Sequence, residues 1–373
     1  MPAAFRMTFR LPLLAAALLA VGASATFADR INTGEATGAY QTAFCPKLEA
    51  ELAKAKFEFK CEPSKGALDN IARVLADPRQ VGFTQLDILA LDRQQRSGPS
   101  PFHLARVDDA RECVFAVTRA KEIMAYGDLA GAAAKLRFFL PPQESGSAAT
   151  FAFIKSIDPE GLGRAASLKH AASAEEAIGL ALSAEDTVAL FVEFPDPDSA
   201  RFKLVADLGG HFVPVIDRAI LRPQVDGRKI YFADETLVAN AGWLKGGDKV
   251  VTACTPMVVF TGAAERVVGG RAAQDHRDLI ATLTAMKPEV LRAPEGALTR
   301  LWRRTRELTG ESVESMLKLS EDARERARPY YDKGKEAAGR AVEEAKKAAE
   351  KAAERAGEAA RELIDKVAPP AKK

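Results

Sequence analysis

Thr33-Gly34-Glu35-Ala36-Thr37-Gly38-Ala39-Tyr40 is a glycine-containing turn set just ahead of the helical spacing Phe44, Leu48, Leu52. A second turn, Ser64-Lys65-Gly66-Ala67-Leu68-Asp69-Asn70, follows the alternating run Phe57-Glu58-Phe59-Lys60-Cys61. A third stretch, Val81-Gly82-Phe83-Thr84-Gln85-Leu86-Asp87, is a short apolar strand that ends in polar residues. Asp29–Asp92 therefore reads as strand, helix, strand, helix, strand. That alternation predicts a parallel sheet in an α/β architecture.

A break follows at Arg96-Ser97-Gly98-Pro99-Ser100-Pro101. The apolar run Glu112–Thr118 then enters a second block as a strand. Leu136–Leu140 is another strand, and Pro141–Thr150 opens a helix that reaches Ile157. Thr187–Val192 is a further apolar strand. Lys249–Phe260 is long enough to return from the second block to the first, and His276–Met286 forms a closing helix.

The ends of the chain differ from this body. Arg6 and Arg10 precede the uncharged apolar run Leu11–Val21, and small residues follow up to Ala28. This is the pattern of a secretory signal over residues 1–28, too short for a comfortable membrane span, with cleavage expected near Ala28. No cysteine stands there for a lipid anchor. At the other end, Ala341, Ala345, Ala348, Ala352, Ala356, Ala359, Leu363 and Val367 recur in steps of three and four. Their eleven-residue period suits a nearly straight helix. An alanine stripe buries little area, so residues 298–373 are expected to form a solvated helical tail. A partner helix or a membrane surface would stabilise it.

The composition is that of a globular chain, 47% hydrophobic and 28% charged, and the formal net charge is only +2. Nothing in that balance points to nucleic acid. Four cysteines in an exported chain suggest disulfides and allow three connectivities. Cys45 and Cys61 flank one helix-to-strand passage, and Cys113 and Cys254 each lie in an apolar β-branched run. The pairing expected is Cys45–Cys61 with Cys113–Cys254. Their spacing matches no zinc motif.

The chemistry suggested is capture rather than turnover. The turns at Thr33, Gly34, Thr37 and Gly38, at Ser64, Lys65 and Gly66, and at Ser145, Gly146 and Ser147 each open a helix. Backbone N–H groups at such ends favour anions. Each turn alone is an ordinary strand-to-helix connection; three from two blocks can converge on one cleft at the strand ends. Tyr40 can close over a ligand, Gln85 can hydrogen-bond it, and Asp87 can cap the next helix. Glu193 either meets an amine or faces solvent. Tyr231 and Trp243 are expected mainly to pack. The four histidines show no metal spacing, and no nucleophile–base pair is visible. Neither an enzyme, a cofactor nor a metal site is therefore expected.

Thr33-Gly34-x-x-Thr37-Gly38-x-Tyr40, Ser64-x-Gly66-x-x-x-Asn70, Val81–Asp87 and Ser145-Gly146-Ser147 occur in the order and rough spacing of a known family. Over about residues 30–290 the chain resembles the TAXI-type solute receptors of TRAP transporters, within the type II periplasmic binding protein fold. The resemblance implies two α/β lobes joined by crossing strands: residues 29–110 with 250–297, and 111–249. It implies a cleft closing on a small organic anion, an amino acid or dicarboxylate, for delivery to integral membrane TRAP permease subunits. Gly34, Gly38, Tyr40, Ser64, Gly66, Gln85, Ser145 and Ser147 would face that cleft. Cys113 and Cys254 would lie on the hinge strands, where a disulfide limits twisting. Lys65 and Ser147 depart from the family pattern, residues 215–245 align poorly, and the tail is outside it. The rival reading is an envelope interaction or structural protein that uses the same fold and its tail.

Overall fold

The computed structural model describes residues 29–240, 247–291, 305–328 and 346–351, with positions 340, 343 and 344. The signal-like segment, Trp243 and most of the alanine stripe lie outside the described residues.

The first lobe begins with β1 (Asp29–Asn32). A short π-helical turn, Tyr40–Phe44, runs into α1 (Cys45–Lys54). β2 (Phe59–Glu62), α2 (Ala67–Ala76), β3 (Val81–Gln85) and α3 (Leu86–Gln95) follow. β1 pairs in parallel with β2 and with β3, as the alternation predicts. Phe44, Leu48 and Leu52 are buried beneath this sheet at 1%, 0% and 0% exposure. Each contributes about 1.5–3 kcal/mol of hydrophobic stabilisation. β3 is buried on both faces, which is why it reads as an apolar run without alternation.

β4 (Phe102–Thr118) is seventeen residues long, ten residues longer at its N-terminal end than its apolar half suggests. Its first part, Phe102–Val107, is interrupted by His103 and Arg106 and pairs with β12 in the first lobe, and its apolar end, Cys113–Thr118, pairs with β7 in the second. The second lobe adds α4 (Tyr126–Ala132), β5 (Arg137–Leu140), α5 (Gly146–Ile157), β6 (Ser167–His170), α6 (Ala174–Ala181), β7 (Thr187–Glu193) and α7 (Ala200–Asp207). β8 (His211–Val213), α8 (Arg218–Leu221), the small hairpin of β9 (Gln224–Val225) and β10 (Arg228–Lys229), and β11 (Phe232–Leu237) follow. β12 (Lys249–Gly262) returns to the first lobe, and α9 (Gly270–Ala285) closes it.

The sheet runs β2-β1-β3-β12-β4-β7-β5-β6. Its centre is the antiparallel pair β4 and β12, and both strands pass through both lobes. The pairing is irregular between Pro256 and Val258 and again between Val259 and Phe260. Pro256 donates no N–H, so the ladder breaks where the chain crosses from lobe to lobe. Cys113 and Cys254 face each other across this pair and form a disulfide, and Cys45–Cys61 forms the second.

The tail differs from expectation. Residues 305–328 are not a solvated appendage. β13 (Thr305–Glu307) extends the second lobe by pairing antiparallel with β11. A helix over residues 311–328, α10, then lies on that lobe. Leu317 and Ala323 are buried, and Arg324 forms ion pairs of 2.9 Å with Asp158 and 3.0 Å with Asp217. Gly127 and Gly131 of α4 let α10 approach; a Cβ at Gly127 would lie 1.9 Å from the Ser320 carbonyl oxygen. The sequence stripe misses this docking because it follows alanines beyond residue 340. The burying residues before that point are only a few, spaced among charges. Among the described residues, no helix is long and apolar enough to cross a membrane.

Candidate functional site

One cavity of about 420 Å³ lies between the lobes at the strand ends. β1 leads into its Thr33–Tyr40 wall, β3 delivers Gln85, and β4 delivers Glu112. The second lobe supplies Ser145–Ser147 at the start of α5 and Glu193 at the end of β7. Thr33, Gly34, Thr37, Gly38, Tyr40, Lys65, Gly66, Gln85, Ser145, Gly146, Ser147 and Glu193 all line it.

Ser64 does not. Its Oγ accepts from the Gly66 N–H at 3.2 Å, and its own N–H donates to the Gly34 carbonyl at 2.7 Å. It ties the first two turns together, while Gly66 stands at the cap position of α2. Short polar side chains favour such local bonds to their own turn over reaching outward. Asp87 also departs from its expected role as a cap. It is fully buried and accepts from the Thr150 hydroxyl at 2.6 Å and the Tyr231 hydroxyl at 2.7 Å, which joins α3 to the second lobe. Tyr231 accordingly packs, at 0% exposure.

The lobes touch around the cavity. Gly66 has φ +131°, and a Cβ there would stand 2.7 Å from the Glu144 carbonyl oxygen of the opposite lobe. The Leu68 N–H donates to that oxygen at 3.3 Å. Tyr40 stacks on Phe83 and meets Phe194 edge-on, with centroids 5.3 and 5.9 Å away. Arg201 reaches back to Glu35 at 3.8 Å.

Helix starts surround the space. α2 and α5 point their first turns at it, and so do α6 and α7, whose first residues Ala174 and Ala200 are in its wall. Ser145, Ser173 and Ser199 cap α5, α6 and α7 through bonds to Ala148, Glu176 and Phe202. The remaining first-turn N–H groups have no intrahelical partner and form a field suited to negative charge.

The ionisable residues are less simple. Arg201, which the turn motifs do not reveal, also lines the cavity from the second lobe. It is engaged by Glu193 at 2.9 Å and Glu175 at 2.8 Å. Glu193 therefore neither faces solvent nor stands free: its partners are Arg201 and the Ser199 hydroxyl. Lys65 is exposed at the rim. On the floor, Glu112 is 7% exposed. Burial pushes its carboxyl up to about 8, against the lowering influence of Gln85 and Tyr40 beside it. Burial also raises Glu193 to about 7, although Arg201 pulls it down, and Asp87 to about 6. Tyr40 is held well above its usual range by burial and by Glu112. Glu112 was legible only as a polar residue at the edge of an apolar run; the register of β4 against β12 turns it inward, opposite Thr255.

These shifts set a pH dependence. Glu112 holds its proton more tightly folded than unfolded. Its protonation therefore stabilises the fold fully below about pH 4.5, and that contribution disappears as pH rises through about 8. Glu112→Gln removes this contribution. The variant is expected to lose less stability than the parent chain between pH 5 and 8.5. Thermal midpoints across that range check it, and parallel slopes for the two proteins would count against it.

No family model and no curated protein sequence matches this chain. Solved structures similar to it include a TctC solute binding protein from Polaromonas without ligand, at 13% identity and TM-score 0.38, covering 82% of this chain and 97% of the other. The GluR0 ligand binding core in complex with L-glutamate is similar at 10% identity and TM-score 0.35, covering 70% and 97%. The reduced regulatory domain of OxyR2 from Vibrio vulnificus is similar at 10% identity and TM-score 0.35, covering 68% and 93%.

Proposed function

We propose that this chain is an exported, TAXI-type solute receptor that closes its lobes on a small carboxylate-bearing solute and presents it to integral membrane TRAP permease subunits. The observation that carries the reading is the convergence of helix starts from both lobes on one interlobe cavity of a size suited to a metabolite. A carboxylate there meets N–H groups without an intrahelical partner, and Lys65 adds positive charge at the rim. Arg201 can join only by exchanging Glu193 or Glu175 for the solute. Two disulfides fit an oxidising compartment.

The test is thermal unfolding of the mature chain against amino acids, 2-oxo acids, dicarboxylates and phosphate. A solute at 100 times its Kd is expected to add about 2.7 kcal/mol of stability. A flat response to every class from natively folded protein would overturn the receptor reading and favour the interaction role.

The docking of α10 places the boundary for a second test. Deleting 299–373 would strip β13 and α10 from the second lobe and leave Asp158 and Asp217 without Arg324. Deleting only 329–373 leaves those contacts in place. A receptor so shortened is expected to keep its solute affinity within twofold by calorimetry. A larger loss would give the tail a part in binding.

A further inference from the structure

Resting on the receptor reading, we infer that the cavity floor, where Tyr40, Gln85 and Glu112 set buried oxygens side by side, seats a primary ammonium group of the solute, and that Glu112 selects for it.

Three atoms carry the argument. The Tyr40 hydroxyl, Gln85 Oε1 and Glu112 Oε2 are buried and none meets a partner in good hydrogen-bond geometry, although Tyr40 and Gln85 stand close enough to Glu112 to favour its ionised form. Gln85 and Glu112 are 4% and 7% exposed. They come from separate elements: the turn before α1, the end of β3, and the middle of β4. Two of the three are acceptors, and the phenol oxygen accepts as well. An ammonium offers three N–H donors and no acceptor, so it satisfies all three at once. Gln85 is held over the start of α5 by close packing, because a Cβ at Gly146 would lie 2.5 Å from its Nε2.

The surrounding charges point the same way. Among the described residues, acidic side chains on the cavity wall outnumber basic ones five to two. Glu112 faces Asp87 of α3 and Glu193 of β7, and both favour its protonated form. Of the two cations on the wall, Arg201 is taken up by Glu193 and Glu175, and Lys65 is exposed at the rim. A second carboxylate of a dicarboxylic solute would enter the same unfavourable field of Asp87 and Glu193 that holds Glu112 protonated. An ammonium meets complementary charge. The solute then lies with its carboxylate toward the helix starts and its amine toward β4.

Binding has a proton consequence. The empty floor keeps Glu112 protonated at neutral pH, and an ammonium replaces that proton as the partner of the carboxylate. The released proton passes to the buffer. Affinity for an amine therefore rises with pH up to about 8, whereas affinity for a solute without an amine does not follow this course.

The experiment is calorimetry of the mature chain with matched pairs that differ only in amine against ketone: alanine and pyruvate, leucine and 4-methyl-2-oxopentanoate, glutamate and 2-oxoglutarate. At least one amine is expected to bind tenfold or more tighter than its partner. It should release close to one proton at pH 7, measured in buffers of different ionisation enthalpy. Glu112→Gln is expected to cut that preference at least tenfold. If a 2-oxo acid binds as tightly as its amine, or tighter, the ammonium seat is wrong while the receptor reading stands. If no pair member and no other solute class binds, the receptor reading falls and this inference falls with it. Should the variant fail to fold, the amine-to-ketone ratio and proton count of the unaltered chain decide.

Discussion

Arg324→Ala is expected to cost about 3–5 kcal/mol of stability, because it leaves two buried carboxylates without their cation. Arg324 donates to Asp158 at 2.9 and 3.2 Å and to Asp217 at 3.0 Å. Asp158 is also held by the Tyr126 hydroxyl at 2.7 Å, and Asp217 by Ser320 at 3.3 Å. Tyr126 is buried, and its ring also packs near the Arg324 guanidinium. The network joins α4, the turn after α5, the start of α8 and α10. Its loss should loosen α10 as well as weaken the second lobe. Urea unfolding measures the cost, and hydrogen exchange over residues 311–328 reports the loosening. A change below about 1 kcal/mol, in the range of exposed ion pairs, would show that the network is solvated and that α10 is held by other contacts. Arg324→Lys keeps the charge but loses the forked donor geometry, so it should recover only part of the stability.

Gly66→Ala is expected to lower solute affinity tenfold or more. At φ +131° an L side chain is strained in itself, at about 1–3 kcal/mol. The added Cβ would also press on the Glu144 carbonyl oxygen at 2.7 Å and on Ser145 Cα at 2.9 Å. Both neighbours are backbone of the opposite lobe, so relief requires the lobes to part. Gly34→Ala is the control. Gly34 has φ +137°, but its Cβ would meet nothing within 4 Å. The strain is shared by the two variants, whereas the contact between lobes belongs to Gly66 alone. Solute titrations and small-angle scattering of both variants separate the effects. Equal affinity losses, with no expansion of Gly66→Ala relative to Gly34→Ala, would show that the closed contact at Gly66 does not govern binding.

The candidate site was partly legible because turns that open helices use few residue types. Gly34, Gly66, Ser145 and Gly146 stand out for conformational and capping reasons that act within a few residues. Ser64 bears the same local signature, yet its hydroxyl turns back on Gly66. A capping residue and a ligand donor look alike until the direction of the side chain is known. Arg201 and Glu175 were missed for a different reason. They lie on two exposed-looking helix starts, α6 and α7, with nothing in spacing to relate them. Only the packing of those helices beside β7 brings their charges to Glu193.

The sequence alone determined the α/β alternation and the order of the turns, since each rests on local propensity or on apolar runs that must become buried strands; of three possible cysteine pairings, the structure forms the one expected. The tertiary structure alone decided that β4 and β12 run antiparallel through both lobes, that Glu112 faces the cavity floor, and that residues 305–328 belong to the second lobe. Strand register sets the direction of every side chain along a sheet, and it depends on pairing between segments more than a hundred residues apart. The docking of α10 likewise depends on two glycines of α4 and two aspartates whose partners lie far away in the chain. No pattern within a single segment contains that information.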